Sequence, residues 1–549
     1  MLRETRAVWI ATNFRLDWPP PTYNQNEQKE SLISILDNIE NKNLNTVYFQ
    51  VRFNSTVLFK SSYEPFSYYL TGEVNGIPGY DPLAFVIDEA HKRGLEIHAV
   101  LNMIKCFSGT EENVLEYESH LINIHPNWYY TSNIEGEPVY WLDAGLPEVR
   151  NYLTNLVSEL VENYKVDGIQ LDYIRYPNSE IKDDFSYSIF GNDIDVSKWR
   201  RDNITNLVES ISKEIKNIKP LIKFGVTPIG IYKNLKGASG LQGYTDVYQD
   251  SRLWLQEGLI DYAVPQIYWD IESEPRFDIL VQDWESNSFG KNLVIGIGSF
   301  KEEVKDDTEK MIELARVIGV EGIAFFRYSF IRDGSFIAFL HKSLPSAMTW
   351  IDKFPPPNPM DLRYTIEDNR INKISLYWVL PELVPGVDEV EYFSIYNLEN
   401  KLEPPNSENL LKIIPANHSI INLAILNPSK IHYYYSVKSL DKSWNESENH
   451  SNIIDVTIPE LKYLSDNMEY YNQPIIVMKD GETNELFVFS NELQKLHLIA
   501  SKNMIEEIKI DLNLSTGLNI IPIKFDIPEY EEVKLQFESG RVLYLKKKK

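Results

Sequence analysis

Val166-Asp167-Gly168-Ile169-Gln170-Leu171-Asp172-Tyr173-Ile174-Arg175-Tyr176-Pro177 reads as a buried strand that runs into a charged cluster. Side chains alternate across a strand, so Ile169 and Leu171 face one side while Gln170 and Asp172 face the other. A helical pattern from Pro147 to Tyr164 precedes the stretch, and a long polar loop follows it. In a chain that alternates strands and helices, Asp172, Arg175 and Tyr176 then stand at the C-terminal mouth of a strand. Parallel α/β barrels gather their functional side chains there.

Working outward, apolar runs of strand length recur at 7–13, 46–53, 96–102, 168–174, 223–228, 262–269, 293–298 and 322–328. Between them, 30–41, 83–93, 149–164, 199–218 and 306–318 carry apolar residues at the three-and-four spacing of amphipathic helices. Gly94 and Gly319 follow two of these, as helix C-terminal residues should. The pattern predicts a (β/α)8 barrel over residues 1–350. An open doubly wound sheet is the alternative, but the first strand lacks a glycine-rich dinucleotide turn.

Strand parity supports the barrel. On the face shared with Asp172, the strands carry Trp9, Ala11 and Asn13; Gln50 and Arg52; His98 and Asn102; Gln170; Gln266 and Tyr268; Phe325 and Arg327. The opposite face is mostly apolar: Val47, Phe49, Val51, Ile97, Ala99, Ile169, Leu171, Ala263, Pro265 and Ile267. The first set is expected to line the lumen and its mouth, and the second to meet the outer helices.

From Trp350 the texture changes. Phe354-Pro355-Pro356-Pro357-Asn358-Pro359 is a stiff linker. Alternating runs after it predict an all-β sandwich over 351–464 and a second small β-domain over 465–549. The terminal lysines read as a solvated basic end.

Composition narrows the function. The chain has 549 residues, with 54 Lys and Arg against 80 Asp and Glu, for a net charge of −26. That balance argues against nucleic acid or an anionic membrane as the main partner. No apolar run reaches the roughly 18 residues of a membrane span. The single cysteine, Cys106, forms no internal disulfide and reads as a buried thiol. The nine His show no ligand spacing, so neither a metal nor another cofactor is expected. A monomer is expected. So is a cytoplasmic location, or the cell envelope or exterior if a leader has been removed.

Glycosidic cleavage passes through a positively charged sugar ring and usually employs two carboxylates, one protonated and one ionised. Asp172 suits the ionised role, with Arg175 near in sequence and Arg52 expected near in space to favour the charged form. Asp250 and then Glu64 are the leading candidates for the acid, with Asp143, Asp270 and Glu272 behind them. Asp250 could equally cap the helix that Ser251-Arg252-Leu253-Trp254 would begin. Trp18, Trp141, Tyr176, Tyr268 and Trp269 are candidate stacking rings. Asn13, Asn102, Gln266 and Arg327 complete the expected substrate contacts. Gly296-Ile297-Gly298-Ser299 could form a phosphate turn or clear space for a polysaccharide. The rival to a hydrolase is a non-catalytic glycan-binding protein of the envelope.

Several ordered blocks carry a resemblance. They include Arg6-Ala7-Val8-Trp9, Leu16-Asp17-Trp18-Pro19, Phe49-Gln50-Val51-Arg52, Glu64-Pro65-Phe66-Ser67, Tyr80-Asp81-Pro82-Leu83 and His91-Lys92-Arg93-Gly94, then 167–177 and Pro265-Gln266-Ile267-Tyr268-Trp269. From residue 3 to about 350 the chain resembles the glycosyl-hydrolase-like barrel family 10 of bacteria. The strands after the linker resemble a fibronectin type III module. The resemblance implies a (β/α)8 glycan hydrolase, with peptidoglycan glycan strands stripped of stem peptides as one substrate known in the family. It carries functional roles to Arg52, Asp172, Arg175 and Tyr268. Two positions depart from it: Asn102-Met103-Ile104-Lys105 stands where many relatives have Asn-Pro-Tyr-Arg, and Tyr173 where many have a second Asp.

Overall fold

The computed structural model describes residues 3–108, 117–134, 136–178, 180–333, 339–366, 373–382, 389–424, 432–457, 475–477, 484–490, 494–502, 505–514, 517–523, 532–537 and 542–548. Eight parallel strands close into a barrel. They are β1 (Thr5–Ile10), β2 (Thr46–Phe53), β3 (Glu96–Asn102), β4 (Gly168–Asp172), β5 (Lys223–Val226), β6 (Tyr262–Ala263, resuming at Gln266–Ile267), β7 (Asn292–Ile297) and β8 (Gly322–Phe325). β1 pairs with both β8 and β2, which closes the ring. β6 is interrupted where Pro265 has no N–H to give the ladder, and it resumes when the Gln266 N–H reaches the Pro228 carbonyl at 3.0 Å.

The expected helices are present and begin somewhat earlier than their apolar pattern, at Gln25–Asn41, Pro82–Lys92, Pro147–Asn163, Val196–Ile218 and Glu302–Ile318. Polar first turns explain the shift. Asn24 accepts from the N–H groups of Asn26 and Glu27, and Asp81 accepts from Ala84 with Pro82 at the first helical position. Gln25–Asn41 buries Leu32, Ile35, Leu36 and Ile39 against the barrel. Each such side chain contributes roughly 1.5–3 kcal/mol. Phe277–Glu285 is a further helix, too short to show its period in the sequence.

Parity holds for most strands. Val47, Phe49, Val51, Ile97, Ala99, Ile169, Leu171, Ala263 and Ile267 lie in the core between barrel and helices. Ala7, Trp9, Tyr48, Val100, Tyr262, Val264, Val294 and Ala324 pack inside the lumen, with Phe326 against them. β8 corrects the expectation. Phe325 pairs with Val8 and Ile297, both outward-facing, so Phe325 joins the outer core and Phe326 turns inward. Two adjacent phenylalanines left no polar alternation to fix that register.

The lumen is polar at depth. Trp9 donates to Gln170 Oε1 at 3.0 Å, His98 Nδ1 lies 2.6 Å from the Tyr262 hydroxyl, and Lys223 forms a buried ion pair with Glu96. Met348 joins the lumen cluster. Trp350 bonds to Asp261 at 3.0 Å, at the residue preceding β6, so this segment closes the N-terminal end and leaves the C-terminal mouth for function.

Beyond the barrel, a three-stranded antiparallel sheet (Met360–Ile366, Lys373–Val379, Ile420–Ala424) faces a four-stranded one (Leu410–Pro415, Tyr392–Leu398, His432–Leu440, Ile454–Thr457). Both supply one core, from Leu376 and Trp378 to Phe393 and Tyr435. The sandwich packs on the barrel. Gly94, at φ +66°, would carry a Cβ only 2.7 Å from Ile413, and Arg3 donates to the Trp444 carbonyl at 2.5 Å. Two further four-stranded sheets share a third core, including Leu486, Leu498 and Leu535. The terminal lysines differ from a free basic end: Lys546–Lys548 pairs in parallel with Ile475–Val477 as an edge strand. Backbone pairing there is indifferent to side-chain charge.

Candidate active site

Asp172 is the last residue of β4 and is half-buried. Its Oδ1 accepts from the Tyr173 N–H at 2.7 Å and, at 3.4 Å, from Gln266 at the mouth of β6. Its Oδ2 makes no hydrogen bond among the described residues and is open to solvent. Burial raises the Asp172 pKa above the ordinary carboxylate value, opposed by the Tyr173 N–H, Arg175, Lys105 and Gln266. These are the groups that act most on it, and both charged ones are cations.

The backbone keeps β3 and β4 together past their ends. Met103 and Ile104 donate to the carbonyls of Asp172 and Tyr173 at 2.9 and 3.1 Å. Tyr173 takes a left-handed φ of 49°. Lys105 Nζ lies 5.0 Å and Arg175 Cζ 5.1 Å from the Tyr173 ring centre. Arg175 also covers Trp141 at 5.6 Å and donates to its neighbour's carbonyl, Tyr176 O, at 3.0 Å. Burial lowers the pKa of both cations, and Asp172 partly restores each.

Across the mouth, after β6 to β8, lies an aromatic group. Tyr268 stacks on Phe326 at 5.6 Å and meets Phe300 edge-on at 5.7 Å, and Phe300 reaches Phe330 at 6.4 Å. Phe300 and Phe330 are exposed at 41% and 39%, which leaves ring faces available to a ligand. Burial, then Asp172, pushes the Tyr268 hydroxyl well up. Gly298 is bare because a Cβ there would sit 2.7 Å from Tyr268 Cβ, so this glycine makes room for the ring.

The remaining expected residues fall in different places. Arg52 is fully buried and bonds both Glu64 oxygens, at 2.8 and 2.6 Å; its other donors go to the Asn102 and Met103 carbonyls. A bulge between Gln50 and Arg52 redirects the side chain. The expectation that Arg52 would tune Asp172 is therefore corrected: its charge is neutralised by Glu64, which outweighs burial and holds the guanidinium pKa up. Glu64 also accepts from Tyr152 at 3.2 Å and has no exposed side-chain surface. Asp250 caps Ser251–Gln256 through the Leu253 N–H and accepts the Tyr232 hydroxyl at 2.7 Å. Asp270 accepts from the Glu272 and Ser273 N–H groups and from the Ser273 hydroxyl. Burial raises Asp143 to about 6, but it is tied to Gly145 and Ser186.

Trp18 and Tyr176 are corrected from stacking platforms to packing residues, since both are fully buried. Trp18 packs on Phe49 and donates to the Gln28 carbonyl, while Tyr176 lies against Tyr248. Trp141, also fully buried, is corrected in the same way, with Arg175 lying over its ring. Trp269 is half-buried under Lys301, 5.8 Å from the ring centre. Asn102 Oδ1 accepts from Gln50, whose own oxygen accepts the Asn13 N–H. Arg327 is paired with Asp17 at 2.6 Å. Lys105, Phe300 and Phe326 were not anticipated. Lys105 follows β3 as closely as Arg175 follows β4, and that position was the available signal.

A family model described as glycosyl hydrolase-like 10 matches residues 4–311, more than half of the chain. The chain belongs to this family. Among curated relatives of this glycosyl hydrolase-like 10 protein, glycosyl hydrolase YngK of Bacillus subtilis strain 168 is 33% identical over 485 residues, covering 81% of this chain and 92% of that protein. Glycosyl hydrolase DigH of Escherichia coli strain K12 is 35% identical over 325 residues, covering 54% and 73%. The PgaB (BpsB) glycoside hydrolase domain of Bordetella bronchiseptica aligns with a TM-score of 0.44 at 12% identity, covering 60% of this chain and 96% of that one. Family and relatives together support a glycan-acting hydrolase. No helix among the described residues is long and apolar enough to cross a membrane.

Proposed function

We propose that the protein hydrolyses O-glycosidic bonds of a glycan polymer, with peptidoglycan glycan strands as the first substrate to examine, and that Asp172 carries the chemistry. The observation behind this reading is the Asp172 carboxylate itself. One oxygen is fixed by Tyr173 and Gln266, and the other is free at the mouth. A fixed carboxylate with a free oxygen can meet the positive charge that develops on a sugar ring, as nucleophile or charge stabiliser. Tyr268, Phe326 and Phe300 offer ring faces on which sugars stack. The acid partner remains Asp250 or Glu64 in this proposal, and each would have to leave its present bonds. The three-and-four-stranded sandwich, which we propose is of fibronectin type III type, would hold the barrel near its polymer. A monomer acting at the cell envelope fits this role.

The test is product release from purified glycan strands stripped of stem peptides, beside intact strands and storage polysaccharides. The expected outcome is cleavage by the parent and none by Asp172→Asn. If strands bind equally to both proteins and neither cuts, the barrel is a glycan-binding platform. The sealed state of Glu64 is what favours that second reading.

A further inference from the structure

A cleft separate from the surroundings of Asp172 opens at the barrel mouth and runs along the outside of the barrel. Its volume is about 790 Å³, within the roughly 300–1,000 Å³ of ligand sites. Ser299, two residues past β7, and Phe330, after β8, line its mouth end. One stripe of the helix Glu302–Ile318 forms a wall, where Lys305, Thr308, Glu309, Ile312, Glu313 and Arg316 recur at three-and-four spacing. At 1.5 Å per residue the stripe is about 16 Å long. The segment Phe339–Lys342 lines the cleft as well, and so do Ser407 and Glu408 of the sandwich.

Two observations mark the cleft as a site for a ligand that also lies in the mouth. Ser299 is 4% exposed, and its Oγ has no hydrogen-bond partner among the described residues. A buried hydroxyl left unpaired costs free energy that a polar group of a ligand would recover. Phe330 lines the cleft and also belongs to the aromatic group at the mouth, 6.4 Å from Phe300. The cleft is therefore continuous with the surface on which the proposed substrate lies.

The charges define the class of ligand. The cations that line the cleft are already paired: Arg6 and Arg316 with Glu4 at 2.7 and 2.6 Å, Lys342 with Glu40 at 3.6 Å, and Lys305 with Glu302 at 3.9 Å. The carboxylates of Asp306, Glu309 and Glu313 form no ion pair or hydrogen bond among the described residues. Carboxylates on an open helix face are simply solvated; here they stand along a wall, facing a cleft that also holds a ring and an exposed leucine, Leu340. Such a lining offers acceptors and apolar patches and no spare cation. It suits an uncharged ligand rich in hydroxyl and amide N–H donors, and it repels an anion.

Resting on the hydrolytic reading above and deepening it, we propose that this cleft is a distal subsite for the stretch of glycan strand leading away from the bond that Asp172 addresses, and that it takes uncharged N-acetylated sugars. Phe330 receives the strand from the mouth, Ser299 and the helix carboxylates accept from its hydroxyl and amide groups, and Ser407 and Glu408 bring the sandwich onto the polymer itself. The sandwich then forms part of the substrate site and is more than a spacer.

The experiment uses the full-length Asp172→Asn protein, so that no probe is consumed, with Glu309→Cys added. The native Cys106 is fully buried, so a bulky maleimide reagent marks the introduced thiol alone. The probes are β-1,4-linked N-acetylglucosamine oligosaccharides of two and of six sugars. Before labelling, the six-sugar probe is expected to bind roughly tenfold tighter than the two-sugar probe and to slow labelling of the thiol at least threefold. After labelling, the two affinities should agree within about twofold, while the thermal midpoint is unchanged. In the unlabelled protein, Glu408→Lys should weaken the six-sugar probe and spare the two-sugar one. Equal affinities before labelling, a length preference that survives labelling, or a thiol that the six-sugar probe does not protect overturns the proposal. If the parent cuts no glycan and the protection still stands, the hydrolytic reading fails and the subsite does not. If the parent cuts glycan strands and the thiol is unprotected, the subsite fails alone.

Discussion

Two charged clusters at the same end of the barrel contrast closely. Arg52 and Glu64 form a matched pair with no exposed side-chain surface, each using its hydrogen-bonding groups on the other or on adjacent backbone and Tyr152. Asp172, Lys105 and Arg175 are half-buried and unequal, with one carboxylate oxygen free. Both clusters contain the residue types from which glycosidase chemistry is read in a sequence. Closure distinguishes them. A sealed, balanced pair resists change of charge and serves to hold β2 and its following loop in place. An open, unbalanced set can accept a ligand and alter its charge as it does so.

The largest expected effect falls on the open cluster. Asp172→Asn should lower turnover on a cleavable strand on the order of 10³-fold, as for loss of a catalytic carboxylate, while the thermal midpoint moves little. Product release and thermal unfolding check the two halves separately. A loss of less than tenfold would remove Asp172 from the chemistry. The closed cluster should behave inversely. Glu64→Gln leaves Arg52 buried without a counter-charge and should cost about 3–5 kcal/mol of stability, read in denaturant unfolding. If Glu64→Gln instead folds normally and abolishes cleavage, Glu64 acts in catalysis after moving, and the contrast between the clusters fails.

This contrast was the part least legible in the sequence. The barrel was plain, because Val47, Phe49 and Val51 alternate with Tyr48 and Gln50, and because helices with apolar stripes separate the strands. Asp172 was legible for the same reason: period-two alternation in β4 put it beside Gln170, at a strand end. Arg52 misled because one bulge after Gln50 turned its side chain away from the lumen, and a bulge has no periodic signature. Trp18 and Tyr176 misled because a loop tryptophan or tyrosine looks alike whether it is exposed or packed. Phe326 was hidden by its twin Phe325. Lys105 was read only as a departure from a pattern, since its meaning depends on Tyr173, sixty-eight positions away in the chain but in contact in the fold.

Smaller effects sharpen the comparison by asking which remaining carboxylates are structural. Burial raises Asp143 to about 6 in the folded protein. An unfolded Asp titrates near 3.9, so between roughly pH 4 and 6 the folded state binds the extra proton. Stability should therefore fall as pH rises through that window. Asp143→Asn, which mimics the protonated form, should flatten the slope and raise stability at pH 7 by on the order of 1–2 kcal/mol. Unfolding midpoints at pH 5 and 7 would reveal it. An unchanged slope would mean that Asp143 is not responsible.

The smallest effect is expected at Asp250, and it is the one that most directly tests the choice of acid. Its carboxylate accepts the Leu253 N–H at 3.4 Å and the Tyr232 hydroxyl at 2.7 Å. Asp250→Asn keeps an acceptor for both, since an amide oxygen still caps a helix. Stability should therefore change by less than about 1 kcal/mol. Asn cannot donate an acidic proton. Turnover on a substrate with a good leaving group needs little protonation, whereas turnover on an ordinary glycan needs it fully. If Asp250 is only a cap, Asp250→Asn should leave both rates within about twofold of the parent. If it is the acid, the ordinary glycan should lose on the order of 10²-fold or more while the activated substrate loses far less. The ratio of the two losses thus separates the proton donor from the helix cap, and a fold effect would reduce both equally.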